Sequence, residues 1–168
     1  MFLILDLMDM DKKKKLILWF NEINMKDVGL VGGKNASLGE MYRSLASRGI
    51  NVPNGFAITA YAFRQFLKFN YLEKKIKDLI QSVDAQDVRS LEETGTQIRN
   101  LILKAKLFEE LREAIERAYR KLIGKGATDV AVRSSATAED LPLASFAGQL
   151  ESFLNVRGSE ILLETVKK

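Results

Sequence analysis

Val132-Arg133-Ser134-Ser135-Ala136-Thr137-Ala138-Glu139-Asp140-Leu141-Pro142, with Ser145-Phe146-Ala147-Gly148-Gln149 close behind, is the stretch from which this 168-residue chain is best read. It sets an arginine at the end of an apolar strand, then small hydroxyl residues, then a glycine loop. A guanidinium presents a planar fork of donors that matches phosphate oxygens and stays charged at physiological pH. Ser134, Ser135 and Thr137 add short donors, and Gly148 lets backbone amides come close to a ligand. That order suits a polyphosphate. The same letters also describe a strand, a Ser/Thr-rich turn and a second strand, with Arg133 merely exposed.

A second glycine cluster lies about a hundred residues upstream: Val31-Gly32-Gly33-Lys34-Asn35-Ala36-Ser37-Leu38-Gly39-Glu40-Met41. Ser37 and Glu40 have the spacing of a capping box, so a helix is expected to begin there. Leu38, Met41, Tyr42 and Leu45 follow at helical intervals as its apolar face. Lys34 is then near a helix N-terminus, where the dipole and unbonded N–H groups favour an anion. This is not a Walker A loop. That motif needs Gly six positions before the lysine and Ser or Thr after it, where this chain has Val28 and Asn35. Taken alone, Gly32-Gly33 reads equally well as a tight turn feeding a helix.

The rest of the chain reads as one α/β or α+β unit without repeats or low-complexity linkers. Leu16 to Phe20 is a short apolar run suited to a buried strand, with Trp19 packing rather than binding. Gly49 is a stop and Pro53-Asn54-Gly55 a turn. Gly55 to Thr59 reads as a strand, and Thr59 caps a helix whose Phe63, Phe66 and Leu67 form an apolar stripe. From Tyr71 to Leu122 the pattern is helical, with breaks expected around Gln81 to Gln86, near Gly95 and near Leu107. Ile98, Leu101, Ile102 and Ala105 line one face, and Leu111, Ala114, Ile115, Ala118 and Leu122 another. Gly124 and Gly126 end this region, and Asp129 to Arg133 returns to a strand. Ser159 is expected to cap a last helix from Glu160, with Ile161, Leu162 and Val166 on its apolar side.

Charge argues against several functions. Glu109, Glu110, Arg112, Glu113, Glu116, Arg117 and Arg120 alternate in sign, as on a solvated helix face. Glu92-Glu93 and Glu139-Asp140 read as solvent-facing or capping groups rather than an acid/base pair, although the second pair adjoins the Arg133 loop. The net charge is +4, and Lys12-Lys13-Lys14-Lys15 alone equals that excess. A nearly neutral body gives no reason to expect nucleic-acid binding. The apolar start from Phe2 to Leu5 is too short for a membrane span, and its basic residues follow rather than precede it, unlike a secretion signal. A cytoplasmic protein with no membrane partner is expected. The chain has no cysteine and no histidine, which excludes disulfides and the usual zinc sites.

Three motifs in order, VGGKNASLGEM, NVPNGFAITAYAFRQFL from Asn51 to Leu67, and VAVRSSATAEDLP with SFAGQLESFLNV, resemble the amino-terminal part of the phosphoenolpyruvate synthase (pyruvate, water dikinase) family. The wider group is that of the PEP-utilising enzymes and pyruvate phosphate dikinases. The resemblance begins near Leu16 with LILWFNEI and runs to the last residue. It implies the amino-terminal portion of an ATP-grasp nucleotide-binding domain with a helical insertion. In domain terms, residues 1–15 are an apolar and Lys-rich tail, and residues 16–168 a partial dikinase-type ATP/PEP-binding domain.

By motif match, Lys34 and Arg133 take the family's places for contacts to ATP phosphates. Gly32, Gly33, Ser134, Ser135, Gly148 and Gln149 form the supporting loops. Leu143 departs from the family, where relatives often carry a polar residue. The resemblance implies ATP as partner and Mg²⁺ as its cofactor, with the metal's protein ligands outside this chain. It also implies a reaction that makes phosphoenolpyruvate, AMP and phosphate from pyruvate, ATP and water through a phosphohistidine.

With no histidine, this chain cannot carry that step, and the family's pyruvate-binding barrel has no room in 168 residues. The expectation is therefore a fragment, inactive alone and binding Mg²⁺-ATP weakly at most, with a separate chain carrying the remainder as a candidate partner. Two other readings stay open: a non-catalytic truncated paralogue or interaction module, and part of another dikinase of the superfamily.

Overall fold

Two short antiparallel ladders, formed by segments far apart in sequence, organise the chain around its helices. The computed structural model describes residues 11–124, 129–137 and 151–168. The expectations for Gly126, Glu139, Asp140, Leu143, Gly148 and Gln149 lie outside the described residues.

Strand β1 (Ile17–Trp19) pairs antiparallel with β2 (Phe56–Ile58), with Leu18 opposite Ala57. Hydrogen bonds from Thr59 N to Leu16 O (3.0 Å) and from Phe20 N to Gly55 O (3.0 Å) extend the ladder at both ends. Gly55 is required there because a Cβ would lie 2.6 Å from the Phe20 ring. Trp19 packs as expected: its ring meets Phe56 at 5.6 Å, and the Lys121 ammonium sits 4.8 Å from its centre.

Between the two strands come one-turn 3₁₀ helices at Phe20–Glu22 and Met25–Asp27, then α1 (Val28–Val31) and α2 (Gly33–Leu45). Asn24 Oδ1 accepts from Lys26 N, and Asp27 accepts from Asn24 N and from Lys12 Nζ at 2.7 Å. Lys15 Nζ likewise reaches Glu22 at 2.9 Å. Burial alone would raise the Glu22 pKa, but the bonds from Trp19 N–H and Lys15 outweigh it and hold the carboxyl below its usual value. The basic run is thus tied to the strand and turn that follow it.

Helix α2 corrects the capping-box expectation. It starts at Gly33, four positions before Ser37, and its N-cap is Gly32 at φ +82°. Leu38 and Tyr42 of the expected apolar face do pack against the smaller core, but the fully buried positions are others. Gly33, Ala36 and Gly39 face inward, whereas Met41 is exposed. At Gly39 a Cβ would lie 2.6 Å from Ile23 Cβ, so the small residues let the helix backbone close on the Phe20–Ile23 turn. Leu18, Phe20, Ile23, Val31, Ala36 and Ala57 make the smaller core cluster. The helix ends through a 3₁₀ turn at Ala46–Arg48 and a left-handed Gly49, as the sequence suggests.

Thr59 caps α3 (Ala60–Phe69), accepting from Ala62 N at 3.1 Å while its hydroxyl donates to Lys15 O at 2.6 Å. One buried side chain so joins a helix start to the chain entering β1. Phe66 is buried in the helix's apolar stripe, but Phe63, expected beside it, is 49% exposed. Helices α4 (Leu72–Ser82), α5 (Val88–Lys104) and α6 (Glu109–Ile123) follow, breaking around 83–87 and 105–108 as expected. Asp87 caps α5 by accepting from Arg89 N at 3.0 Å. The break expected near Gly95 does not occur. A glycine weakens a helix without ending it when neighbouring turns supply the bonds.

Gly95 therefore carries a prediction: a Cβ there would meet nothing within 4 Å, and φ is not positive. Gly95→Ala is expected to raise the unfolding free energy by about 0.5–1 kcal/mol, read as a higher urea midpoint with an unchanged slope. A lower midpoint would contradict the observed helix.

The larger core gathers Ala62, Phe66, Leu72, Ala105, Leu111, Ile115, Tyr119, Val156 and Leu162. Strand β3 (Val130–Arg133) pairs antiparallel with β4 (Ser152–Val156), and the register shifts between Val130 and Val132. Opposite that shift Asn155 takes a left-handed φ of 56°, the geometry of a bulge. Tyr119 Oη accepts from Gly158 N at 2.9 Å, tying α6 to the start of α7 (Ser159–Thr165). The N-cap of α7 is Gly158 and not Ser159, and Ile161, expected on its apolar side, is 54% exposed while Leu162 is buried. Among the described residues the architecture is α/β in content: helices packed with two small antiparallel sheets, the α3 to α6 run inserted between β2 and β3.

Candidate functional site

The loop leaving β3 lies directly against the Gly32-Gly33 turn, although the two are 100 positions apart in sequence. Three contacts make the junction. Gly33 N donates to Ala136 O at 3.3 Å, and Asn35 N donates to Ser135 Oγ at 3.4 Å. Gly32 also fits against Ser135 so closely that a Cβ there would overlap Ser135 Oγ and lie 2.9 Å from its carbonyl carbon. Both the positive φ and the lack of space demand glycine.

Beside this junction opens a cleft of about 290 Å³. Gly33, Lys34, Asn35, Ser37 and Leu38 from the first turns of α2 line one wall, and Arg133 and Ser134 from the end of β3 the other. Lys34, the second residue of the helix, is half-buried, and Arg133 is exposed. The structure thus brings Lys34, Gly33, Arg133 and Ser134 to one surface. Gly32 and Ser135 lie just behind as the junction that supports it.

Arg133 is directed by β4. Its Nε donates to Ser152 Oγ at 3.2 Å, across the pair Arg133 opposite Ser152. Ser134 is held to the same strand, its Oγ donating to Glu151 O at 3.3 Å. With Nε engaged, the outer edge of the guanidinium is the side offered to a bidentate acceptor. The Asn35 side chain turns away and donates to Val31 O at 2.9 Å.

One expectation about the helix N-terminus is corrected. Of the first-turn donors that were to remain for an anion, Gly33 N–H goes to Ala136 and Asn35 N–H to Ser135. The helix dipole still favours negative charge at this end. The side chains of Lys34 and Arg133 line the same cleft from its two walls.

Sequence reasoning misses Asn35 and Ser152. The first is a first-turn residue whose amide pairs across the junction, and the second is a strand partner that only register reveals. Nothing in their local sequence marks them.

Among the described residues the lining offers Mg²⁺ no acidic ligand. Among the described residues no cluster of three or more Asp, Glu, His or Cys could hold a metal ion. Nor is any described helix long and apolar enough to cross a membrane.

The cleft thus opens at the start of a helix, with Lys34 and Arg133 in its lining. Phosphoenolpyruvate synthase of Synechocystis is 50% identical over 164 residues, covering 94% of this chain and 20% of that protein. The Escherichia coli enzyme is 50% identical over 153 residues, covering 90% of this chain and 19% of its own length. That of Deinococcus radiodurans is 53% identical over 148 residues, covering 88% and 19%. The chain therefore spans about a fifth of the length of these relatives. Residues 28–168 match the model of the pyruvate phosphate dikinase AMP/ATP-binding domain, both walls of the cleft included, and the chain belongs to that family.

Proposed function

We propose that the cleft between α2 and the end of β3 is the phosphate-binding corner of an ATP-grasp nucleotide domain, and that this chain is the ATP-binding portion of a phosphoenolpyruvate synthase. The observation that carries it is the convergence of Lys34 and Arg133 on one cleft from segments 100 positions apart. Lys34 supplies a compact charge that follows a mobile phosphate. Arg133 supplies a planar fork, already oriented by Ser152, that fixes two oxygens at once.

Among the described residues, those lining the cleft include no carboxylate, so they do not fit Mg²⁺ as a metal held by the protein. Mg²⁺ would come with the nucleotide and would supply charge neutralisation to its phosphates.

The full reaction of such an enzyme converts pyruvate, ATP and water to phosphoenolpyruvate, AMP and phosphate. Its β-phosphoryl group passes through a histidine. This chain has none, so within it the site binds and orients the triphosphate while transfer belongs to residues elsewhere. A cytoplasmic metabolic role is part of the same proposal, with the histidine and the pyruvate site supplied by residues outside this sequence.

Titration of the ¹⁵N-labelled chain with Mg²⁺-ATP at low ionic strength tests this. Two charge-assisted grips without the rest of a nucleotide pocket correspond to a Kd of roughly 1 mM. Saturable amide shifts are expected at residues 33–35 and 133–134, weakening with salt. Shifts confined to other regions, or none at about 10 mM nucleotide, would overturn the assignment and favour a non-catalytic interaction module.

A further inference from the structure

The junction behind the cleft does more than close a turn. Lys34 and Arg133 belong to different elements, and neither sheet connects them: α2 follows the β1 side of the molecule, whereas Arg133 belongs to the β3–β4 ladder. A polyphosphate spanning both cations gains from the second only if their separation is already set. Among the described residues the two walls are joined by contacts of Gly32, Gly33 and Asn35 on one side with Ser135 and Ala136 on the other.

We propose that Ser135 and Gly32 form a latch that positions the two cations for a polyphosphate. Ser135 is a positioning residue, acting through Lys34 and Arg133. The inference rests on the phosphate-site reading above and adds to it what sets the spacing of the site.

The physical basis is the fit at Gly32. At φ +82° the chain exposes the Gly32 Cα to the Ser135 hydroxyl with no room for a methyl group, and that hydroxyl also accepts the Asn35 amide at 3.4 Å. A hydroxyl in this place stops the first turn of α2 from sliding along the loop after Arg133. The second bond, from Gly33 N to Ala136 O at 3.3 Å, keeps the loop from peeling away. Both bonds are long, so the latch holds through shape together with them.

The test compares tripolyphosphate with orthophosphate on the complete 168-residue chain, using the unaltered protein, Ser135→Ala and Gly32→Ala. Orthophosphate needs one cation at a time, whereas tripolyphosphate spans both. In the unaltered chain tripolyphosphate is expected to bind at least about tenfold more tightly than orthophosphate. Ser135→Ala is expected to reduce that ratio to about threefold with orthophosphate affinity unchanged, and Gly32→Ala to reduce it further. Hydrogen exchange at the Asn35 amide should quicken in Ser135→Ala.

A merely structural role would lower both affinities together or neither. Should Gly32→Ala fail to fold, as strained backbone and overlap allow, Ser135→Ala carries the test alone. A ratio preserved in Ser135→Ala would overturn the latch while leaving the phosphate site intact. Failure of the unaltered chain to bind either anion would overturn the site itself, and the latch's role with it.

Discussion

Removing both cations, by Lys34→Ala with Arg133→Ala, is expected to abolish measurable Mg²⁺-ATP binding while the chain stays folded. On the proposed reading each side chain would make charge-assisted contacts worth about 1.5–3 kcal/mol, so each single substitution should weaken Kd by roughly 10- to 150-fold. The site opens to solvent and Arg133 is exposed, which places both singles toward the lower end of that range.

From a starting affinity near 1 mM, even a tenfold loss at each position takes the double variant out of reach of an NMR titration. The fold should survive, because Arg133 is exposed and its bond to Ser152 lies at the surface, while Lys34 is only half-buried in the first turn of α2. A melting temperature within a few degrees of the unaltered chain is expected. A double variant that still shifts residues 33–35 on adding Mg²⁺-ATP would remove the side chains from the site. Arg133→Lys separates charge from fork. If the planar fork matters, it recovers only part of the affinity.

The second large effect concerns the larger core, against which the β3 wall of the cleft packs. Ile115 has no exposed surface and sits in the larger cluster with Phe66, Leu111, Tyr119 and Leu162 around it. Ile115→Ala is expected to lower the unfolding free energy by about 2–5 kcal/mol, from lost burial and the cavity left behind. Against a total stability of about 5–15 kcal/mol for a domain of ordinary size, that is a large share. Urea titration should show a midpoint shifted down with little change in slope.

Ile161 provides the contrast within the same protein. It is 54% exposed on α7, and Ile161→Ala should stay within about 0.5 kcal/mol. Equal losses at the two positions would mean that the packing of α6 and α7 differs from the observed one.

Much of this arrangement is legible locally. The strand at Leu16 to Phe20 and the strand ending at Thr59 announce themselves by short apolar runs between turn residues. Thr59 marks a helix start because a hydroxyl before an apolar periodic run satisfies an orphan N–H. The helix breaks at 83–87 and 105–108 follow from loss of periodicity. Motif wording alone points to the dikinase family, and the comparisons agree.

Errors fall where a distant segment decides. Ser37 and Glu40 have capping-box spacing, yet α2 starts at Gly33 because residues 135 and 136 receive the Gly33 and Asn35 amides. Gly95 continues a helix because the turns on either side supply its bonds. Phe63 and Ile161 have the right periodicity and are still half exposed among the described residues.

Sequence by itself determined the family, the α/β content, most element types and the two cations worth watching. Those are carried by residue chemistry and by periods of two or 3.6, which any short window contains. Only the tertiary structure decided that Lys34 and Arg133 share a cleft, that the fully buried positions of α2 are its small residues, and that two of the helix's first amides are already taken. Each of these depends on a contact between segments brought together by folding, and the closest of them, Gly32 against Ser135, is set by the absence of a side chain. The glycine in the sequence announces that freedom. What fills the space is known only once the chain has closed around it.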